Sequence, residues 1–239
     1  MATINTPLGK LHYTFKPLYN GRKRINKTIA KENLLLFNSI AIKYDLSYIL
    51  GWGTLLGAIR EHDFIEHDED TDLIISKESL PKLLTMLWEL QHIGFQVCRF
   101  ERDLVSIMRQ NEYIDLYVYA PYTHGILICH NTLFLPAKML TELIDYSFLD
   151  QKFKIPKDYI SYLVLEYGQD WQIPVVWAPQ ELSPLAILYY KLKLRFKHIL
   201  PSSIINTLSS KRKRESYQDF IKRYNDIDLS NKNTISTLQ

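Results

Sequence analysis

Cysteine is scarce in this 239-residue chain: Cys98 and Cys129 are the two it has, each inside an apolar run. That excludes a disulfide framework and any cysteine metal-ligand spacing, and predicts reduced core thiols in a cytosolic protein. No apolar stretch reaches the roughly eighteen residues that a membrane-spanning helix needs. The segment Met1 to Lys16 lacks the apolar core of a signal peptide. We therefore expect a chain that is neither exported nor membrane-spanning. A strong charge of one sign is missing too: the net charge of +3 is too small to point to nucleic acid, and no such partner is expected. Internal repeats and low-complexity tracts are also absent. What remains is an ordinary globular balance, 46% hydrophobic and 23% charged. It suits one large domain, or a core with an appended helical part. The charges are unevenly placed, with acids gathered around 61–72 and Lys and Arg at 191–223.

Residues 1–27 are polar, rich in Asn, Lys and Arg, and read as an N-terminal arm. A helix capped by Thr28 is predicted to run to about Asp45, with Phe37, Ile40, Ala41 and Tyr44 on one side. Ser47 to Leu50 reads as a short strand that breaks at Gly51-Trp52-Gly53-Thr54. Two glycines there permit positive φ or close approach of a ligand to the backbone. Thr54 is placed to cap a short helix, Leu55 to Arg60, whose first N–H groups suit phosphate; the plainer alternative is a tight turn. Lys77 to Ile93 reads as a helix with a broad apolar stripe. Three strand-like runs follow, Phe95 to Phe100, Leu104 to Arg109 and Tyr113 to Tyr119, then a strand from Gly125 to Cys129 and a loop through Pro136. From about 140 the pattern turns helical, including Pro156 to Glu166, which Gly168 ends, and Leu182 to Leu200. The first of these features indicate an α/β or α+β sheet domain over 28–139. The helical C-terminal region, 140–239, is expected to pack on it.

The acidic run His67-Asp68-Glu69-Asp70-Thr71-Asp72 heads a β-branched strand. With period-two alternation Asp70 and Asp72 share a face, roughly 6.5–7 Å apart along the strand. Two such carboxylates repel, and a divalent cation between them removes the conflict. Few hard oxygen ligands, with positions left open for phosphate, suit Mg²⁺. The alternative is a solvated acidic loop. Asp115 lies inside an apolar strand, where an unpaired acid is costly to bury. It is read either as salt-bridged to an Arg such as Arg109 (or at a sheet edge), or as a third ligand or general base facing Asp70 and Asp72. The helix with Lys191, Lys193, Arg195, Lys197 and His198, and the cluster Lys211-Arg212-Lys213-Arg214, suit either an anionic surface or a solvated face.

Gly53-Thr54-Leu55-Leu56-Gly57-Ala58-Ile59-Arg60, then Phe64-Ile65, then Asp68-Glu69-Asp70-Thr71-Asp72-Leu73, resembles the signature of the LicD/fukutin family. Tyr167-Gly168-x-Asp170-Trp171-x-x-Pro174 is similar to that family's C-terminal motif, and the resemblance covers roughly 30–175. One departure is visible: Glu66-His67 stands where members often carry Pro-Trp, and His67 either alters the donor pocket or replaces the aromatic ring. The resemblance implies a polymerase-β-type nucleotidyltransferase fold, a mixed sheet flanked by helices with a helical C-terminal part. It also implies donor phosphates held at Gly53 and Thr54, with Mg²⁺ (or Mn²⁺ in its place) on Asp70, Asp72 and Asp115.

By the same resemblance, an alcohol phosphate of phosphocholine, phosphoglycerol or ribitol-phosphate type moves from a CDP-activated donor to a sugar hydroxyl of a glycan or lipid-linked oligosaccharide precursor, releasing CMP. Such precursors feed capsule, lipopolysaccharide or teichoic acid. In that scheme Arg60 adds a phosphate contact, with a surface ion pair to Glu61 or Glu66 as the alternative, and Asp68 and Glu69 tune the field. Asp115 completes the metal site or takes the acceptor's proton. The setting is the cytoplasm, with peripheral membrane contact through the basic C-terminal region. Two other readings compete: a nucleotidyltransferase releasing pyrophosphate, and a non-enzymatic glycan- or membrane-binding protein with a degenerate site.

Overall fold

The computed structural model describes residues 2–16, 18, 24–175 and 202–236, with side chains in the last segment described for 207–227. The chain divides into two compact units, Met1–Cys129 with Leu135–Pro174, and His130–Phe134 with Val175–Gln239. The helix read at Leu182 to Leu200 lies outside the described residues.

The first unit begins with a hairpin in the stretch read as an arm. Strands β1 (Ala2–Thr6) and β2 (Gly9–Tyr13) pair antiparallel, with Ile4 opposite Leu11, both buried. Helix α1 (Lys27–Lys43) follows, capped not by Thr28 but by Asn26, whose side chain accepts from the Ile29 amide at 3.2 Å. A mixed sheet forms the centre. Its strands β3 (Ile49–Leu50), β4 (Thr71–Ser76), β5 (Gln96–Glu101), β6 (Leu104–Arg109) and β7 (Glu112–Thr123) run in the spatial order β3-β4-β7-β6-β5. Strand β4 lies parallel to β7 and the other neighbours are antiparallel, so the class is α+β with a mixed sheet. Helices α2 (Trp52–Arg60) and α3 (Leu80–His92) flank it; α1 packs on β7 and α3 on β5. Leu73 and Ile75, with Leu116 and Val118 beside them, are fully or almost fully buried, as a strand covered on both faces requires.

Beyond β7, β8 (Ile126–Cys129) pairs antiparallel with its end, and Leu133–Pro136, read as loop, is a strand, β9. A one-turn helix α4 (Lys138–Thr141) comes next. The helical reading from about 140 does not hold for the following residues: β10 (Leu143–Phe148) and β11 (Gln151–Pro156) form a hairpin. Its two-residue turn is Leu149-Asp150, both at positive φ (51° and 66°). That conformation ordinarily advertises itself with Asn-Gly or Asp-Gly, and the leucine hides it. Phe148 and Phe153 turn inward, and Phe148 meets Phe64 edge-on at 5.7 Å. Helix α5 (Tyr159–Tyr167) closes the unit, with Gly168 at its end as expected.

In the second unit, helix α6 (Ser202–Ser236) stacks Tyr217, Phe220 and Tyr224 along one side, and Phe134 packs on Tyr217 at 5.2 Å. The basic cluster Lys211 to Arg214 lies on this helix, and Lys211 pairs with Glu215 at 3.8 Å. Among the described residues no helix is long and apolar enough to cross a membrane.

Candidate active site

The glycine turn and the acidic strand are tied together by backbone. The Gly51 amide donates to the Asp72 carbonyl at 3.0 Å, and Gly51 caps α2 without a side-chain bond. Thr54, read as the helix cap, instead sits within the first turn. It is fully buried, and its hydroxyl accepts from the Asp72 amide at 2.8 Å. The Gly53 amide donates to the Asp72 carboxylate. At Gly53 a Cβ would run into Oδ2 of Asp68, so any larger residue there displaces that carboxylate. At Gly57 a Cβ would stand 2.5 Å from the Asp63 carbonyl. Both are close-approach positions.

Parallel pairing of β4 with β7 sets Asp72 directly beside Asp115. Asp70, Asp72 and Asp115 each offer one oxygen, and these oxygens all lie within 4.8 Å of one another. The structure thus brings Asp115 to the pair Asp70 and Asp72, which the sequence placed on a separate segment. Asp115 is 2% exposed and Asp72 8%. The salt bridge suggested between Asp115 and Arg109 is not formed. Arg109 pairs with Glu32 at 2.8 Å, and Arg99 takes Asp115, Nη2 to Oδ2, at 2.5 Å. The other carboxylate oxygen, Oδ1, is buried without a hydrogen-bond partner, as is Oδ2 of Asp68.

Burial pushes the Asp70 carboxyl up to about 8, with the charges of Asp115, Asp68 and Glu69 adding to it and a hydrogen bond from the Tyr113 hydroxyl opposing it. Burial also raises Asp72 well above the usual carboxylate range, followed by the charges of Asp70, Asp68 and Asp115. Asp68 rises to about 6, chiefly through burial. Asp115 is raised by burial, and Arg99 and Ser106 work against that rise. Four buried or half-buried carboxylates facing one guanidinium hold a surplus of negative charge that the protein alone leaves uncompensated. The donor set of Asp70, Asp72 and Asp115 is hard oxygen, without nitrogen or sulfur, and Asp115 Oδ1 in it is buried and unpartnered. It fits a Mg²⁺-like cation rather than a zinc-type ion.

Arg60 is not brought to this cluster by the turn itself. It occupies the far end of α2, about 10 Å along the axis from Gly53. Its Nη2 donates to Glu61 at 2.7 Å and its Nη1 to the Trp171 carbonyl at 3.3 Å, while Nε is buried without a partner. The Gly-Thr-Leu-Leu-Gly block and the Tyr167–Trp171 motif are therefore in contact. Trp52, at φ 31°, is held by the same region: its amide donates to the Tyr162 hydroxyl and its indole to Glu166, both at 3.1 Å. Its ring lies 4.3 Å from that of Tyr117. Glu66 pairs with Arg24 at 3.1 Å, and His67 is exposed.

Arg99, Ser106, Tyr113 and Tyr117 also belong to the site, and sequence reasoning passed over them. For the two tyrosines a signal existed, since they stand two residues either side of Asp115 and so share its face. For Arg99 none existed, because its face depends on a register shift.

Residues 45–160 match the model of the LicD/FKTN/FKRP nucleotidyltransferase domain. A stretch of 56 residues is 34% identical to the lipopolysaccharide cholinephosphotransferase LicD of Haemophilus influenzae, spanning 23% of this chain and 21% of that protein. The chain thus matches about a fifth of that relative's length. Two solved structures of the antibiotic-resistance factor ANT(2'')-Ia, one in solution and one a crystal complex with adenylyl-2''-tobramycin, are each 14% identical to this chain. Their TM-scores are 0.45 and 0.41, over 87% and 81% of this chain and 99% and 98% of theirs, a likeness too remote to bear on the site. With the glycine turn, the acidic strand and Asp115 all inside the matched stretch, residues 45–160 belong to the LicD/FKTN/FKRP family as a nucleotidyltransferase domain.

Proposed function

We propose that this protein transfers an alcohol phosphate from a CDP-activated donor to a sugar hydroxyl of a cell-surface glycan precursor, releasing CMP. The observation that carries this reading is the meeting of Asp70, Asp72 and Asp115 oxygens within 4.8 Å, beside the Gly53 turn of a LicD-family domain. The name of the Haemophilus influenzae relative supports an alcohol phosphate as the moving group and a surface glycan as its destination. Asp70, Asp72 and Asp115 would hold a divalent cation, Mg²⁺ or Mn²⁺, which when bound supplies charge neutralisation for the donor's diphosphate.

The remaining work falls to the chain. At the start of α2 the Trp52 amide is taken by the Tyr162 hydroxyl and the Gly53 amide by the Asp72 carboxylate, so the Thr54 amide is the one left to favour a phosphate oxygen. The Thr54 hydroxyl, buried against Asp72, fixes the turn to the acidic strand and makes no phosphate contact. Asp115 either completes the ligand set or takes the proton of the attacking hydroxyl. The hydroxyl oxygen forms the new bond to phosphorus as the bond to the CMP oxygen breaks. Arg60 is the least placed for phosphate, since Glu61 and Trp171 hold both its Nη atoms; its position supports docking the Tyr167–Trp171 motif on α2.

One competing reading keeps the same residues: a nucleotidyltransferase that attaches a nucleotide and releases pyrophosphate, favoured by the description of the matched domain. Incubating the protein with Mg²⁺, a panel of CDP-alcohols or of nucleoside triphosphates, and glycan acceptors separates the two. CMP release with an acceptor mass gain equal to the alcohol phosphate supports our proposal. Pyrophosphate release with a mass gain equal to a nucleotide overturns it.

A further inference from the structure

Strand β5 does not pair regularly with β6. Val97 stands opposite Ile107, and the next partner of β6, Ser106, is met not by Cys98 but by Arg99. One residue is therefore extra on β5, which is a β-bulge. Parity shows what it does. In an unbroken ladder Cys98 would face Ser106, and Arg99 would face Val105 on the opposite side of the sheet. Val105 is fully buried among apolar neighbours, so a guanidinium there would be unpaired and costly. The bulge turns Arg99 onto the face of the acids. It is held open by its own contacts: the Cys98 carbonyl accepts from the Lys16 amide at 3.1 Å, and the Cys98 thiol donates to the Ser106 carbonyl at 3.3 Å.

A cross-strand row results, Arg99–Ser106–Asp115–Asp72, one residue from each of β5, β6, β7 and β4. Arg99 grips it at two points. Its Nε donates to the Ser106 hydroxyl at 2.9 Å and its Nη2 to Asp115 Oδ2. Ser106, fully buried, in turn hydrogen-bonds the Asp115 carboxylate. With Arg99 on Oδ2, Oδ1 is left buried without a hydrogen-bond partner, in a residue that lies beside Asp72 and brings one oxygen within 4.8 Å of those of Asp70 and Asp72.

We infer that the bulge-aimed fork of Arg99, braced by Ser106, is the positioning device that turns one oxygen of Asp115 toward Asp70 and Asp72 for cation binding. This rests on the cation reading given above. Second-layer donors that orient a ligand ordinarily contribute ten- to a hundredfold in metal affinity. Simple charge works in the opposite sense: a guanidinium beside the cluster repels a cation, so its loss should tighten binding.

The test is the affinity of the metal-free full chain for Mn²⁺ alone, measured by calorimetry and by the paramagnetic resonance of the free ion, in wild type, Arg99→Met, Arg99→Lys, Ser106→Ala and Asp70→Asn. Positioning by the fork requires the dissociation constant to rise about ten- to a hundredfold in Arg99→Met. It also requires a rise in Arg99→Lys, which keeps the charge but loses the two-point grip, and a smaller rise in Ser106→Ala. Unchanged binding in Arg99→Lys, with tighter binding in Arg99→Met, makes Arg99 a mere counter-charge and overturns the inference. Should Arg99→Met fail to fold, Arg99→Lys and Ser106→Ala decide it alone. Asp70→Asn separates this from the underlying reading: if it binds Mn²⁺ as wild type does, the cation site itself is wrong, whatever the Arg99 variants do.

Discussion

The hydroxyl of Thr54 accepts the amide of Asp72 at 2.8 Å, across eighteen positions of sequence and with both residues buried. With the Gly51 amide on the Asp72 carbonyl at 3.0 Å, this bond ties the glycine turn to the acidic strand. Thr54→Val keeps the shape and removes the acceptor, leaving a buried N–H unsatisfied. The expected loss is about 1–3 kcal/mol of folding stability, read by urea denaturation, with Thr54→Ser close to wild type. A valine variant as stable as wild type would show that the bond holds nothing.

Gly53 and Asp68 occupy one space. Gly53→Ala drives a methyl group into the Asp68 carboxylate, so it should lower both stability and turnover. Shortening the obstacle should restore part of the stability: in the double variant with Asp68→Ala, we expect a coupling of about 0.5–3 kcal/mol in the double-mutant cycle. Additive losses would place the two residues apart.

Asp70→Asn removes one of three crowded charges while keeping size and hydrogen-bonding capacity. Turnover should fall at least about a hundredfold, because charge stabilisation at a phosphoryl centre contributes several kcal/mol. Metal-free melting temperature should hold or rise at pH 8, since like-charge repulsion is relieved, and the upward shift that Mg²⁺ gives wild type should disappear. Retained turnover in a folded Asp70→Asn protein removes Asp70 from the mechanism.

The buried acids also dictate a pH dependence. Asp68 is raised to about 6 and Asp70 to about 8, so between the ordinary carboxylate value and these the folded protein binds more protons than the unfolded chain. Stability from these groups is therefore fully present below about pH 4 and is lost as pH rises through about 6 and then about 8. Melting temperatures of metal-free protein should fall across that window, and saturating Mg²⁺ should flatten the fall. Asp70→Asn should remove the upper part of it. A metal-free protein that gains stability from pH 5 to 8 contradicts the charge surplus.

Much of the site was legible in local pattern. Alternation along Asp70-Thr71-Asp72 predicts two carboxylates on one face; β4 begins only at Thr71, yet Asp70, just before it, still brings an oxygen to that of Asp72. The glycines at 51 and 53 announced a turn, and Asp115 stood out as an acid in an apolar strand. The β10–β11 hairpin escaped notice because Leu149-Asp150 takes a left-handed turn with no glycine to mark it. Thr54 looked like a cap because a threonine before an apolar run usually is one, yet its hydroxyl went to a partner that only folding supplies.

The sequence by itself determined which side chains are available to the candidate site and which can share a face, because side-chain direction along a strand follows from neighbouring residues alone. The tertiary structure decided which segments meet. It set β7 parallel beside β4 with Asp72 against Asp115, and it inserted the extra residue that swings Arg99 onto them. Register between distant strands is chosen by the packing of the whole sheet, and a shift of one residue reverses the face of every side chain that follows. No local stretch carries that information.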